Sequence, residues 1–272
     1  MLREKVGEIP VVILAGGKGT RLGNEYGLRP KPLVCIGPYP ILMHIIFLYL
    51  KSGFRKFYIC LGFRSEDFKV YFRNIASEID TDLFKLSCLQ LEKLFSQSLG
   101  LNIDFEFEVR LLDTGEDSTT AKRIKMSIDE FDSEMFCATY GDGVANLDIF
   151  NVLKFHIEKK FPISLTAFHP PSRFGEVIVN SENSVVNFQE KQLSRTLVNG
   201  GFFVMNRSIQ KDIDAELPLE IGLLSSYCQQ GKLGAYISEN YWQMMDTPRE
   251  VEILNNLYKQ GIAPWLTGRE IV

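Results

Sequence analysis

The residues Val11-Val12-Ile13-Leu14-Ala15 form an unbroken apolar run that stops at Gly16-Gly17. A run this short, closed by glycine, suits a strand buried on both faces, as in a parallel sheet, that feeds a tight turn. Gly16, Gly17 and Gly19 let the main chain of that turn approach a ligand closely, and their N–H groups can ring a phosphate. Lys18 and Arg21 add positive charge in the same stretch, and arginine grips phosphate oxygens through two parallel hydrogen bonds. The spacing is neither G-x-x-x-x-G-K-[ST] nor G-x-G-x-x-G. Taken alone, the segment also reads as a plain strand–helix turn.

Downstream, helices and strands alternate. Ile41 to Ser52 reads as a helix stopped near Gly53, Phe57 to Leu61 as a buried strand, and Ser65 to about Asn74 as a helix with Ser65 as its N-cap. Thr81 to Ser98 is amphipathic, with Leu83, Leu86, Leu91, Leu94 and Phe95 available to the core or to a partner subunit. Ile103 to Leu112 and Met135 to Tyr140 read as strands, and Thr119 to Phe131 and Leu147 to Lys160 as helices. Beyond this point short strands dominate, at Ile163 to Phe168, Glu176 to Val179, Val185 to Gln189, Gly201 to Met205 and Lys232 to Ile237. Helices are expected near Ser208 to Ile213, Pro218 to Gln230 and Pro248 to Gln260. The pattern implies an α/β fold, a doubly wound core with added antiparallel strands. No linker or low-complexity tract divides the 272 residues, so 1–272 is expected to be a single domain.

The net charge of −4 gives no bulk attraction to nucleic acid or to an acidic membrane surface, so an anionic ligand needs locally concentrated charge. The longest apolar run, about Ile41 to Leu50, is too short to span a bilayer, and Met1 to Pro10 has no signal-peptide core. Five widely spaced cysteines without C-x-x-C spacing suit buried, reduced thiols. A soluble cytoplasmic protein is expected.

Three further segments carry chemistry. In Arg29-Pro30-Lys31-Pro32 the prolines fix the backbone on both sides of Lys31, which can aim its ammonium at one point. Tyr140-Gly141-Asp142-Gly143 follows a buried strand, where an open α/β sheet binds its ligands. Its aspartate reads either as an Asp-Gly turn or as a hard oxygen ligand for Mg²⁺. In Trp242-Gln243-Met244-Met245-Asp246-Thr247, Asp246 reads alone as a helix N-cap and beside Asp142 as a second carboxylate.

The ordered set L-A-G-G-x-G-T-R-L, P-K-P, G-D-G, E-K, N-G-G-F and W-x-x-M-D-T, from about Val11 to Trp265, resembles the sugar-phosphate nucleotidyltransferase family. Asp113-Thr114-Gly115, Tyr140 to Ile149, Arg173-Phe174-Gly175, Asn199 to Val204 and Ala263-Pro264-Trp265 are closest to its glucose-1-phosphate cytidylyltransferase subgroup. The resemblance implies a Rossmann-like, mainly parallel sheet flanked by helices. A nucleotide-binding core would cover about 10–160, and a sugar-binding, antiparallel portion about 161–272. It implies an enzyme that joins CTP to glucose 1-phosphate and releases pyrophosphate, working with Mg²⁺ as a homo-oligomer in cell-surface polysaccharide synthesis. By resemblance, Leu14, Ala15, Gly16, Gly17, Gly19, Thr20, Arg21, Thr119 and Gly141 bind the nucleotide. Lys31, Arg21 and Asp142 are the catalytic set, and Asp142 and Asp246 hold the metal. Glu190, Lys191, Asn199, Gly201 and Trp242 bind the sugar phosphate.

Two stretches depart from the subgroup. Thr120-Ala121-Lys122-Arg123 stands where T-G-G-R is usual, which removes backbone freedom and adds bulk and charge near the nucleotide. Glu190-Lys191-Gln192 stands where E-K-P is usual. The alternative to CTP and glucose 1-phosphate is the same chemistry with UTP, dTTP or GTP, or with another sugar phosphate. A non-catalytic nucleotide-sugar-binding relative would be expected to lack Lys31, Asp142 or Asp246, and all three are present.

Overall fold

The computed structural model describes residues 2–19, 22–23, 29–87, 106–170, 175–189 and 196–270. Its centre is a nine-stranded sheet. The strand order is Leu233–Ser238, Ile163–Phe168, Val198–Asn206, Met135–Tyr140, Pro10–Leu14, Lys56–Leu61, Glu106–Asp113, Leu83–Ser87, Glu78–Asp80. All run one way except Val198–Asn206 and Leu83–Ser87, so the sheet is mixed and mainly parallel.

Side chains alternate along the central strands of this sheet, and that alternation builds two cores. Val11, Ile13, Cys137, Phe202 and Val204 join the apolar cluster on one face, and Val12, Leu14, Phe136, Ala138, Phe203 and Met205 join the cluster on the other. The Ile41–Lys51 helix fills the first cluster. It is apolar nearly all round, and every residue from Ile41 to Leu50 is buried. The Thr120–Ile128 helix covers the second, with Ala121, Ile124 and Ile128 turned inward.

The structure corrects several readings of the sequence. Leu83–Ser87 is a strand paired to Glu106–Asp113 and to Glu78–Asp80, so Leu83 and Leu86 belong to the sheet edge. Leu91, Leu94 and Phe95 lie outside the described residues. Ser65 is the first helical residue, preceded by Arg64 at a φ of 53°. Arg207–Asp212 is a 3₁₀ turn, and the helix expected from Pro218 opens as a π-helix over Glu220–Leu224 before the α-helical Ser225–Gln229. The antiparallel strands of the second half extend the same central sheet, while Glu176–Val179 and Val185–Gln189 form a hairpin of their own. Cys60 and Cys137 are buried free thiols, Cys35 is half-buried and Cys228 is exposed. Among the described residues no helix is long and apolar enough to cross a membrane.

Candidate active site

The strand order reverses at Pro10–Leu14, which pairs in parallel with Lys56–Leu61 on one side and Met135–Tyr140 on the other. A crevice is expected at the carboxyl ends of strands at such a point. There, a cleft of ≈ 540 Å³ is lined by Leu14 to Gly19, Lys31, Pro32, Glu116 to Ser118, Thr120, Arg123, Tyr140 to Asp142 and Asp246.

The glycine turn is held from below by Arg123. This side chain is 4% exposed, and its fork of N–H groups reaches only oxygens of other segments. It donates to Leu61 O at 2.7 Å, Thr114 Oγ1 at 2.6 Å, Gly16 O at 3.2 Å and Glu116 O at 3.0 Å. A Cβ on Gly16 would lie 2.2 Å from Arg123 Nη1, so glycine at 16 is what lets the guanidinium sit there. Gly19 takes a φ of 61°, where glycine is at ease, and a Cβ there would come within 2.9 Å of Lys31 Cβ. The strand ends are closely pinned. Ala15 N donates to Cys60 O at 3.0 Å and Gly141 N donates to Leu14 O at 3.1 Å.

Lys31 opens a 3₁₀ turn, Lys31–Leu33, between Pro30 and Pro32, closed by Leu33 N donating to Pro30 O at 2.8 Å. The Pro32 ring packs on the Gly141 backbone, where a Cβ would meet it at 3.0 Å. The Lys31 ammonium donates to Asp142 Oδ2 at 2.5 Å and also to Asp246 Oδ1. These side chains are 11%, 19% and 22% exposed, so the ion pairs are shielded from solvent. Burial alone would pull the Lys31 pKa down. The Asp142 charge, then the hydrogen bonds to both aspartates, outweigh it and hold the group above its usual value.

Asp246 arrives by strand pairing. Trp242–Met244 runs antiparallel to Gly143–Ala145, and Met245 N donates to Asp142 O at 2.8 Å, which sets the two aspartates side by side. The N-cap of the Pro248–Lys259 helix is Thr247, in a capping box with Glu250. Asp246 is therefore not the cap, and its carboxylate is left for the cleft.

Thr119 does not line the cleft. Its hydroxyl accepts from Lys122 N at 3.0 Å as the cap of the Thr120–Ile128 helix and donates to Ala215 O at 2.7 Å. Its neighbours Ser118 and Thr120 line the cleft instead. Ala121 is buried against the sheet and Lys122 is exposed, whereas Thr120 and Arg123, one turn apart, share the face toward the cleft. The two departures from T-G-G-R thus point away from it. Across the cleft Lys18 bridges Asp117 at 3.1 Å and Glu116 at 3.4 Å.

Gly201, Asn199 and Trp242 lie on the far side of Tyr140. Gly201 has a φ of 81°, and a Cβ there would come within 2.4 Å of the Tyr140 ring. Asn199 is exposed and accepts from Gly201 N at 2.9 Å. Trp242 stacks on Phe168, with ring centroids 5.9 Å apart, and donates its indole N–H to Gly200 O at 2.9 Å. The Tyr140 hydroxyl donates to Glu220, which also accepts from Thr120 Oγ1 at 3.3 Å. Thr20, Arg21, Glu190 and Lys191 lie outside the described residues, as do Arg173 and Phe174.

His44 and His156 are spoken for by the fold. His44 accepts from Trp265 Nε1 at 3.1 Å and lies 3.0 Å from Ile36 O, and His156 lies between Ser164 and Asn206. Sequence reasoning did not find Arg123, Ser118 or Glu220 as contributors to the cleft. The one local signal was the T-x-x-R spacing, which puts Thr120 and Arg123 on one helical face.

A family model described as "Nucleotidyl transferase" matches residues 10–247. The chain is 39% identical to glucose-1-phosphate cytidylyltransferase of Salmonella typhimurium over 259 residues, which are 94% of this chain and 98% of that protein. It is 32% identical to the probable glucose-1-phosphate cytidylyltransferase of Bacillus subtilis over 256 residues, 93% of this chain and 98% of that one. In fold it resembles the crystal structure of HddC from Yersinia pseudotuberculosis, with a TM-score of 0.63 at 18% identity, covering 92% of this chain and 99% of that one. The match runs through the glycine turn, Lys31 and both aspartates, and the chain belongs to the nucleotidyl transferase family of enzymes.

Proposed function

We propose that this enzyme transfers the cytidylyl group of CTP to glucose 1-phosphate, releasing pyrophosphate and forming a nucleotide sugar. The observation that carries the reading is the meeting of Lys31, Asp142 and Asp246 beside the glycine turn, at the carboxyl ends of the central strands. The choice of CTP and glucose 1-phosphate is supported by the names of the relatives and by Ala121 and Lys122 facing away from the cleft. The nucleotide would occupy the portion at about 10–160 and the sugar phosphate that at about 161–272, with Glu190, Lys191, Asn199, Gly201 and Trp242 on the sugar side.

The attacking oxygen belongs to a phosphate already ionised near neutrality, so little acid–base chemistry is needed. The obstacle is repulsion between two anions. In this reading the glycine turn ranges its N–H groups along the triphosphate, and Arg21 faces the departing phosphates. Lys31, freed from the aspartates, stabilises charge on the reacting phosphate. Binding both substrates in line removes a large entropic barrier, up to roughly 7–11 kcal/mol in ideal intramolecular cases. Asp142 and Asp246 fit Mg²⁺, since they are hard oxygen donors already gathered about one cation, the Lys31 ammonium. Bound Mg²⁺ would neutralise phosphate charge.

We place the enzyme in the cytoplasm, in cell-surface polysaccharide synthesis, and read it as a homo-oligomer. On the hairpin, Val177 pairs with Phe188 and, past a shift in register, Val179 pairs with Val185. Their exposures are 56%, 62%, 52% and 55%, an apolar surface that a second copy would cover. Sedimentation velocity tests this, and a purely monomeric species would refute it. The function is tested by pyrophosphate release with Mg²⁺ and glucose 1-phosphate across CTP, UTP, dTTP, GTP and ATP. Release with CTP alone is expected, and release with another nucleotide only would overturn the base assignment.

A further inference from the structure

The Lys31 ammonium occupies the space between the two carboxylates assigned above to the metal. Both contacts are of hydrogen-bond length. Asp142 Oδ2 and Asp246 Oδ1 therefore lie at most about 5 Å apart, with Nζ between them. A Mg²⁺ ion held by both would sit about 2.0–2.1 Å from each oxygen. Such an ion would compete with Nζ for the same two oxygens.

Pro30 and Pro32 restrict the backbone on either side of Lys31, so any displacement falls to the flexible four-carbon stem. The glycine turn borders that stem through Gly19 and, with Lys31, lines the same cleft. A triphosphate laid along the turn would offer the ammonium an anionic partner within reach. The triad itself carries two negative charges against one positive charge. It attracts a divalent ion while the ammonium holds Asp142 Oδ2 and Asp246 Oδ1.

We propose that Lys31 gates the metal site: without nucleotide its ammonium excludes the divalent ion, and a bound triphosphate draws it away and releases Asp142 and Asp246 to the metal. The gate rests on the reading of these aspartates as metal ligands. It fixes the order of assembly, with the metal entering together with the nucleotide or after it. Lys31 then has two successive partners, the carboxylates and the phosphate.

The test uses Mn²⁺ as the probe, with binding followed by electron paramagnetic resonance and by thermal melting of the full chain. Lys31→Met keeps the stem and removes the charge, and Lys31→Arg keeps the charge. Without nucleotide, Lys31→Met should bind Mn²⁺ at least about tenfold more tightly than the wild type. Mn²⁺ should raise its melting temperature and leave the wild type and Lys31→Arg unmoved. Adding CTP, with a CTP-only blank subtracted, should bring wild-type Mn²⁺ affinity up to that of Lys31→Met. Lys31→Met will melt lower in metal-free buffer because its carboxylates face each other, so recovery on adding Mn²⁺ is itself an expected result. Equal Mn²⁺ affinity of wild type and Lys31→Met without nucleotide would overturn the gate. Asp142→Asn separates the two ideas. If it abolishes nucleotide-dependent Mn²⁺ uptake while those affinities are equal, the metal site stands and the gate fails. If uptake survives Asp142→Asn, the metal assignment fails and takes the gate with it.

Discussion

Replacing Gly16 by alanine should be costly because of the guanidinium of Arg123. The added Cβ would stand 2.2 Å from Nη1, 2.3 Å from Cζ and 2.7 Å from Nη2, so the fork must withdraw. Withdrawal breaks bonds to Gly16 O and Leu61 O and strains those to Thr114 and Glu116. Hydrogen bonds to a charged group contribute about 1.5–3 kcal/mol each, so losing two costs roughly 3–6 kcal/mol. That is a large part of the roughly 5–15 kcal/mol that holds a typical domain folded. Arg123→Ala should cost a similar amount by leaving the same carbonyls unsatisfied. The backbone at Gly16 is not in the left-handed region, so alanine there meets no backbone strain once Arg123 is gone. The double variant Gly16→Ala/Arg123→Ala should then be hardly less stable than Arg123→Ala alone, with a coupling energy as large as the Gly16→Ala cost itself, roughly 3–6 kcal/mol. Urea denaturation of the four proteins measures this directly. Additive losses, with coupling under about 0.5 kcal/mol, would show that the clash with Arg123 is not what keeps glycine at this position.

Three other outcomes are expected. Lys31→Ala should lower kcat by about 10²-fold or more while changing nucleotide affinity little, and isothermal titration showing the reverse would mean uniform binding. Ala121→Gly/Lys122→Gly restores the glycines of the subgroup pattern, yet should leave the preference among nucleotides unchanged, because neither side chain faces the cleft. A changed ranking in the pyrophosphate assay would show that this helix speaks to the base through its backbone. Burial lowers the His44 pKa from 6.5 to about 4. The unfolded chain takes up that proton at higher pH than the folded one, so this contribution is full above about pH 6.5 and is lost as pH falls toward 4, by at most about 3 kcal/mol. The slope of stability against pH in that window should flatten in His44→Gln, and an unchanged slope would remove His44 as its cause.

The legible parts of this protein were those fixed locally. Val11 to Ala15 can do little but enter a buried strand, and Pro30 and Pro32 declare a restrained Lys31 within four residues. The glycines of the turn were visible, but their reason at Gly16 was not, because Arg123 lies 107 residues away. Leu83 to Ser87 is legible only as amphipathic, because its short apolar spacing suits a helix or a strand, and its pairing with Glu106–Asp113 decides the matter from outside the segment. Asp246 was ambiguous for a similar reason. Capping is a local contest that Thr247 wins with Glu250, and only the pairing of Trp242–Met244 with Gly143–Ala145 reveals what the aspartate is left to do. Thr119 carries no local sign of its part in the helix start, where its hydroxyl accepts from Lys122 N. The departures at Ala121 and Lys122 looked consequential in one dimension and lost weight once the helix showed which way they point.

The ion pairs of Lys31 span 111 residues to Asp142 and 215 to Asp246. Contacts this distant form late when a chain folds, since the entropy of closing the intervening loops is met before they are rewarded. A chain emerging from the ribosome can complete the glycine turn and the first parallel strands long before Asp246 has been made. Until the Trp242–Met244 strand docks, the lysine faces a single carboxylate and the charge balance of the cleft differs from that of the finished protein. The same ion pairs therefore act as an internal mark of completion, made only when the two ends of the chain have found each other.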